Sequence, residues 1–272
     1  MAARIVLVSA AFAAICILPA CSPSEREASR PAAASAPVSA EAATDALAAF
    51  GLAEPGRVTW ESRSQDGARF TFDGVRISGS EGALTAARLV LDGPALTEDG
   101  PVFAGFELTD AQVSEAEGDL VAVFDRLFIG EAGPEVAEAV AAALQGREAF
   151  FDAADPSAGR FGEMAIDALS ITGTSETGQP LELTLDSALA SGHDGETLEQ
   201  VRVEALRFET RDELGAPVAV SLDRLAAEGV ASQRAGLAEA GPGAAPAAPL
   251  AGALTPNSQY DSFSVTGLDV RA

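Results

Sequence analysis

The sequence predicts a mainly β protein: a curved antiparallel sheet of repeated, bulged strands and hairpins, with one inserted helix and a short N-terminal helix. Three observations predict it. Apolar and polar residues alternate at period 2 over short runs, as at Val201 and Val203 and again at Leu206 and Phe208, the mark of a strand with one buried face. The pattern φ-x-φ-x-x-φ-x-φ recurs at Phe70, Phe72, Val75, Ile77; at Phe106, Leu108, Ala111, Val113; at Met164, Ile166, Leu169, Ile171; and at Phe263, Val265, Leu268, Val270. The recurrence is periodic, with 36 residues from Phe72 to Leu108 and 37 from Ile166 to Val203, and longer intervals of 58 and 62 between these pairs. That spacing describes paired β units separated by insertions.

The two-residue skip inside each run has a physical meaning. Side chains on a strand alternate faces, so an extra residue would turn half of each apolar set to water. A bulge or bend at Asp73-Gly74, Asp110, Asp167-Ala168, Glu204-Ala205 and Thr266-Gly267 returns both halves to one face and curls the sheet. A solenoid corner would do the same; Gly/Asp-rich turns after the runs favour antiparallel hairpins over it.

Taken in order, the chain begins with a targeting segment, residues 1 to 20. Met1 to Arg4 is a short basic stretch, Ile5 to Leu18 is apolar but too short to span a bilayer, and Leu18-Pro19-Ala20-Cys21 closes it. This resembles a bacterial lipoprotein signal with a lipobox. The resemblance implies that Cys21 is acylated and anchors the protein in the cell envelope, at the periplasmic face of the outer membrane given Ser22 in the next position. Residues 21 to 42 are rich in Ser, Pro, Ala and Glu and read as a flexible tether.

A single repeat-built β domain is expected over 43 to 272. A short helix over Ala40 to Phe50 has Ser39 as its N-cap and Gly51 as its stop. Trp60, the only tryptophan, reads as an edge or core anchor. Pro134 to Phe151 is a helical insertion, with Pro134 suited to the first turn and Val136, Val140 and Leu144 at helical spacing. Ala235 to Pro256 is Ala/Gly/Pro-rich and reads as a flexible loop. Arg211 to Pro217 is a turn, and Val218, Val220 and Leu222 resume the alternation.

Composition excludes several chemistries. The 17 basic residues contain no lysine, and 41 acids give a formal net charge of −24; such a surface repels nucleic acid and leaves no P-loop or Schiff-base lysine. The two cysteines are Cys16, in the targeting segment, and Cys21, so no disulfide or thiol nucleophile remains. His193 lies in ASGHDGETLE and reads as an exposed turn residue. Asp92, Asp186 and Asp223 stand fifteen residues past Ile77, Ile171 and Phe208, and Asp125 twelve past Val113; all four suit turns or strand ends, since Asp hydrogen-bonds nearby backbone. No calcium-loop motif surrounds them. The sequence thus offers no catalytic residue, no metal site and no cofactor.

The runs FTFDGVRISG, MAIDALSITG and VRVEALRFET, followed by LELTLDSALA and VAVSLDRLAA, resemble the extended β repeats of AsmA-type envelope proteins. The resemblance covers about residues 68 to 272 and implies a curved sheet with an apolar groove and a link to lipid movement. In that frame Phe72, Ile77, Ile171 and Phe208 are the candidate apolar ligand face, and the partners are the membrane, through Cys21, and a lipid or an envelope protein. A filled core closed by the inserted helix, in a structural or assembly lipoprotein, is the alternative.

Overall fold

The computed structural model describes residues 38–79, 82–116, 118–147, 159–174, 178–194, 197–212, 215–231 and 261–271. The targeting segment with Cys21, most of the tether and the Ala/Gly/Pro-rich loop lie outside them. The described chain opens with α1 (Ala40–Ala46), where Ser39 accepts a hydrogen bond from the Ala42 amide, and a 3₁₀ turn (Leu47–Phe50) ending on left-handed Gly51. The helix therefore takes Ala40 to Ala42 from the segment assigned to the tether.

Among the described residues thirteen strands form one sheet. They are β1 (Val58–Thr59), β2 (Ser62–Asp66), β3 (Arg69–Ser78), β4 (Gly82–Asp92), β5 (Ala95–Thr97), β6 (Gly100–Glu115), β7 (Val121–Ala132), β8 (Phe161–Thr174), β9 (Pro180–His193), β10 (Thr197–Arg211), β11 (Pro217–Ala231), β12 (Ser262–Thr266) and β13 (Asp269–Arg271). Spatial order follows sequence order through antiparallel neighbours, with β1 and β2 along one edge of β3 and β12 and β13 along one edge of β11. The sheet is curved and open, not a solenoid.

Each bend expected from the skipped spacing is present, and none is a bulge. Gly74, Asp110, Ala168, Ala205 and Gly267 have φ of 63°, 49°, 53°, 52° and 66°. Pairing resumes past each of them without a change of register: Asp73 faces Arg88 and Val75 faces Ala86; Thr109 faces Arg126 and Ala111 faces Phe124. No residue is inserted. The strand turns over at one left-handed residue, which brings the apolar residues on both sides to one face. The bends align across the sheet as one row through Gly74, Ala87, Asp110, Asp125, Ala168, Asp186, Ala205, Asp223 and Gly267.

A second row runs parallel to the first, six residues along every strand, through Gly93, Ala104, Glu131, Gly162, Gly192, Glu199, Gly229 and Asp261. Here Gly93, Glu131, Gly192 and Gly229 are left-handed, with φ of 58°, 53°, 67° and 59°. From β3 to β12, each strand takes its left-handed residue at the second row it meets.

Asp125, Asp186 and Asp223 thus stand in mid-strand on the first row, opposite left-handed partners, and not at turns or strand ends. Asp92 does end its strand, with a carboxylate oxygen 3.1 Å from Arg69 Nη1. Arg88 and Asp73 (2.9 Å) and Arg126 and Asp167 (3.6 Å) are further cross-strand pairs on the outer face. Arg88 and the Ser62 hydroxyl hold the Asp73 carboxyl below its ordinary range. Such exposed pairs contribute little to stability and serve mainly to mark register.

The core is the inner face of the sheet plus the helices. The second helix, α2 (Pro134–Gln145), starts with Pro134, ends on left-handed Gly146 and buries Val136, Ala137, Ala141, Ala142 and Leu144. It packs on β6, β7 and the 3₁₀ turn. Phe50 meets Phe103 edge-on at 6.0 Å between centroids. Residues 148 to 151 of the expected helix lie outside the described residues.

Candidate functional site

Three of the four residues singled out as an apolar face fall in one cross-strand row. From the first edge to the last it reads Val58, Ile77, Leu84, Val113, Ala122, Ile171, Leu183, Phe208, Val220, Val270. Phe72 belongs to a neighbouring row on the same face, between the two lines of bends: Phe72, Leu89, Leu108, Leu127, Ile166, Ala188, Val203, Leu225, Val265. Both rows are apolar throughout.

Cover changes along them. Phe72 is completely buried, its ring 5.0 Å edge-on from Trp60, with the Arg63 guanidinium 5.8 Å from its centroid. Trp60 thus acts as the expected anchor. Ile77 and Ile171 are buried, Phe208 and Val220 are half-buried, and Val270 and Leu268 are 62% and 60% exposed. The near end of the face is a filled core under α1, α2 and the 3₁₀ turn. At the far end the same apolar surface meets solvent.

His193 is a correction. It is not an exposed turn residue: it ends β9 one position beyond the second row, on the inner face, and is buried. Its ring stacks on Phe161 at 5.3 Å. Nδ1 lies 2.7 Å from the Gly159 carbonyl oxygen, so the neutral ring donates there, while buried Nε2 has no hydrogen-bond partner among the described residues. Burial pushes its pKa below the ordinary 6.5, against the opposing effects of the Gly159 carbonyl and of Asp194. A histidine whose pKa falls on folding contributes stability that is complete above its unfolded value of about 6.5 and declines as pH drops below it toward the folded value. Urea midpoints are therefore expected to fall between about pH 7.5 and about pH 5.5. His193→Phe should remove that part of the decline.

The remaining polar features among the described residues lie on the outer face. A shallow depression on the outer face is lined by Arg207, Glu209, Ser221, Asp269 and Arg271, where Arg271 Nη2 and Asp269 make an ion pair of 2.6 Å. Among the described residues no three His, Cys, Asp or Glu side chains converge as metal ligands, and no helix is long and apolar enough to cross a membrane. Comparison with protein-family models, curated proteins and solved structures finds no match to this chain.

Proposed function

We propose that this protein is a non-enzymatic envelope lipoprotein, anchored through acyl groups on Cys21 at the periplasmic face of the outer membrane, that holds a lipid or other apolar chain at the open end of its inner face. The supporting observation is the single apolar row that is buried at Ile77 and Ile171, half-buried at Phe208 and Val220, and exposed at Val270. An acyl chain laid along its far end would cover apolar surface worth roughly 25 cal/mol per Å². Mass spectrometry of material carried by the full chain purified from membranes tests this directly. Co-purified acyl lipid, lost in a folded Phe208→Glu variant, is the expected result; absence of such lipid together with no saturable uptake of a fluorescent fatty acid would reject it.

The burial of Phe72 and Ile171 favours a second reading, a structural or assembly lipoprotein whose inner face is core and whose ligand is a protein. It takes over if no lipid is found. Either reading requires the anchor. Cys21→Ala is expected to move the protein from the membrane fraction to the soluble periplasmic fraction, and unchanged fractionation would remove the lipoprotein assignment.

A further inference from the structure

We propose that the depression on the outer face of β10, β11 and β13 binds a small zwitterion, a singly charged oxyanion and a primary ammonium held a few bonds apart. The register builds it from two neighbouring rows. Arg207, Ser221 and Asp269 stand directly across from one another on β10, β11 and β13. In the next row Glu209, Ala219 and Arg271 do the same, with Glu182 of β9 directly across from Glu209. Short Ser221 and Ala219 on β11 form the floor, and the long side chains of β10 and β13 form the two walls. The volume, about 190 Å³, admits a headgroup-sized molecule and no protein segment.

The two walls differ in how their charges are met. On β13, Arg271 Nη2 lies 2.6 Å from an Asp269 carboxylate oxygen. On the β10 side, Glu182 and Glu209 oppose each other across the ladder, a like-charge pairing that is destabilising. Elsewhere on the outer face, facing ionic residues are complementary, as in Arg69 with Asp92, Arg88 with Asp73 and Arg126 with Asp167. Among the described residues Glu182, Glu209 and Arg207 take part in no ion pair. Two opposed carboxylates without a cation therefore stand beside an arginine without an anion.

That arrangement sets the ligand's chemistry. A primary ammonium between Glu182 and Glu209 relieves their repulsion and supplies three donors. The oxyanion takes the Arg207 guanidinium, with the Ser221 hydroxyl as a further donor. Arg207 and Glu209 are alternate residues of one strand, about 6.6 Å apart along it, so the two ligand charges are separated by several atoms. A second negative charge on the oxyanion would meet Glu209 and Asp269. A plain anion is also repelled by a chain of net charge −24, whereas a ligand of zero net charge is not. An ethanolamine phosphodiester meets all these conditions, whether free or as the headgroup of a membrane lipid.

The test uses the full chain carrying Cys21→Ala, so that no lipid anchor contributes. Glycerophosphoethanolamine is titrated in by calorimetry, and flotation with phosphatidylcholine vesicles, with and without phosphatidylethanolamine, forms the second arm. The expected result is saturable binding in the first arm, weakened at least tenfold by Arg207→Gln and by the pair Glu182→Gln with Glu209→Gln. Arg76→Gln, at an exposed position of the same outer row as Arg207 but facing Thr85, should change nothing. Each replacement removes an exposed or half-buried charge and should leave the circular dichroism spectrum unaltered. Glycerol 3-phosphate and ethanolamine should bind at least tenfold more weakly than glycerophosphoethanolamine. Flotation that requires phosphatidylethanolamine and is lost in Arg207→Gln would support the same site and identify the membrane lipid as the source. No binding in either arm, equal binding of glycerol 3-phosphate, or affinity unchanged by Arg207→Gln would overturn the proposal. None of these outcomes depends on whether the inner face holds an acyl chain, which Phe208→Glu tests separately.

Discussion

Ile166→Asp is expected to lower unfolding free energy by roughly 3–5 kcal/mol, a large part of the stability of an ordinary domain. Ile166 has no exposed surface and lies between the two rows of bends on β8, facing Leu127 and Ala188 on its neighbours. A carboxylate there has neither water nor a cationic partner. Leu206→Asp, at a buried position on β10, should behave similarly. Phe208→Asp, two residues along at a half-buried position, should cost clearly less. Urea titration followed by the fluorescence of Trp60 measures all three; equal, small effects would show that the inner face is not the core.

Ala168→Gly and Ala205→Gly should stabilise the protein, against the usual penalty for glycine in a strand. Both alanines are left-handed, where a Cβ costs about 1–2 kcal/mol and glycine avoids it. The gain is reduced by the greater freedom of glycine in the unfolded chain, leaving about 0.5–1 kcal/mol for each replacement. Ala168→Val puts a β-branched residue at the same φ and should cost about 2 kcal/mol or more. Ala165→Gly, three residues away at an ordinary strand position, is the control and should destabilise. Thermal midpoints that fall for all of these changes would show that the strands do not turn over at these residues.

The first row of bends was legible in the sequence because two apolar residues flank it on each side, as at Phe70, Phe72, Val75 and Ile77. Two alternating residues suffice to show parity, and a change of parity requires a bend. The second row escaped for the same reason. Beyond it the strands place only one apolar residue on the inner face before they end, Phe161, Leu198 or Val230, and a single residue has no parity. His193 was misread on that account: Gly192 resembled loop punctuation, although it is the left-handed residue that returns the chain to the inner face. Asp92 does end its strand, but Asp125, Asp186 and Asp223 were misread because Asp after an apolar run looks alike at a strand end and at a mid-strand bend. The α1 cap, the 3₁₀ stop at Gly51 and the start of α2 were legible because capping residues act within one turn of chain.

Strand order equal to chain order has a consequence for how this molecule assembles. From β3 onward, every long strand is held by the strands just before and just after it in the chain, so the sheet behaves as a one-dimensional lattice with nearest-neighbour coupling. Loop-closure entropy stays small at each step, and any hairpin can serve as the seed from which the rest zips outward. An interior strand that fails divides the lattice into two blocks. Loss of β12 and β13 would only shorten it.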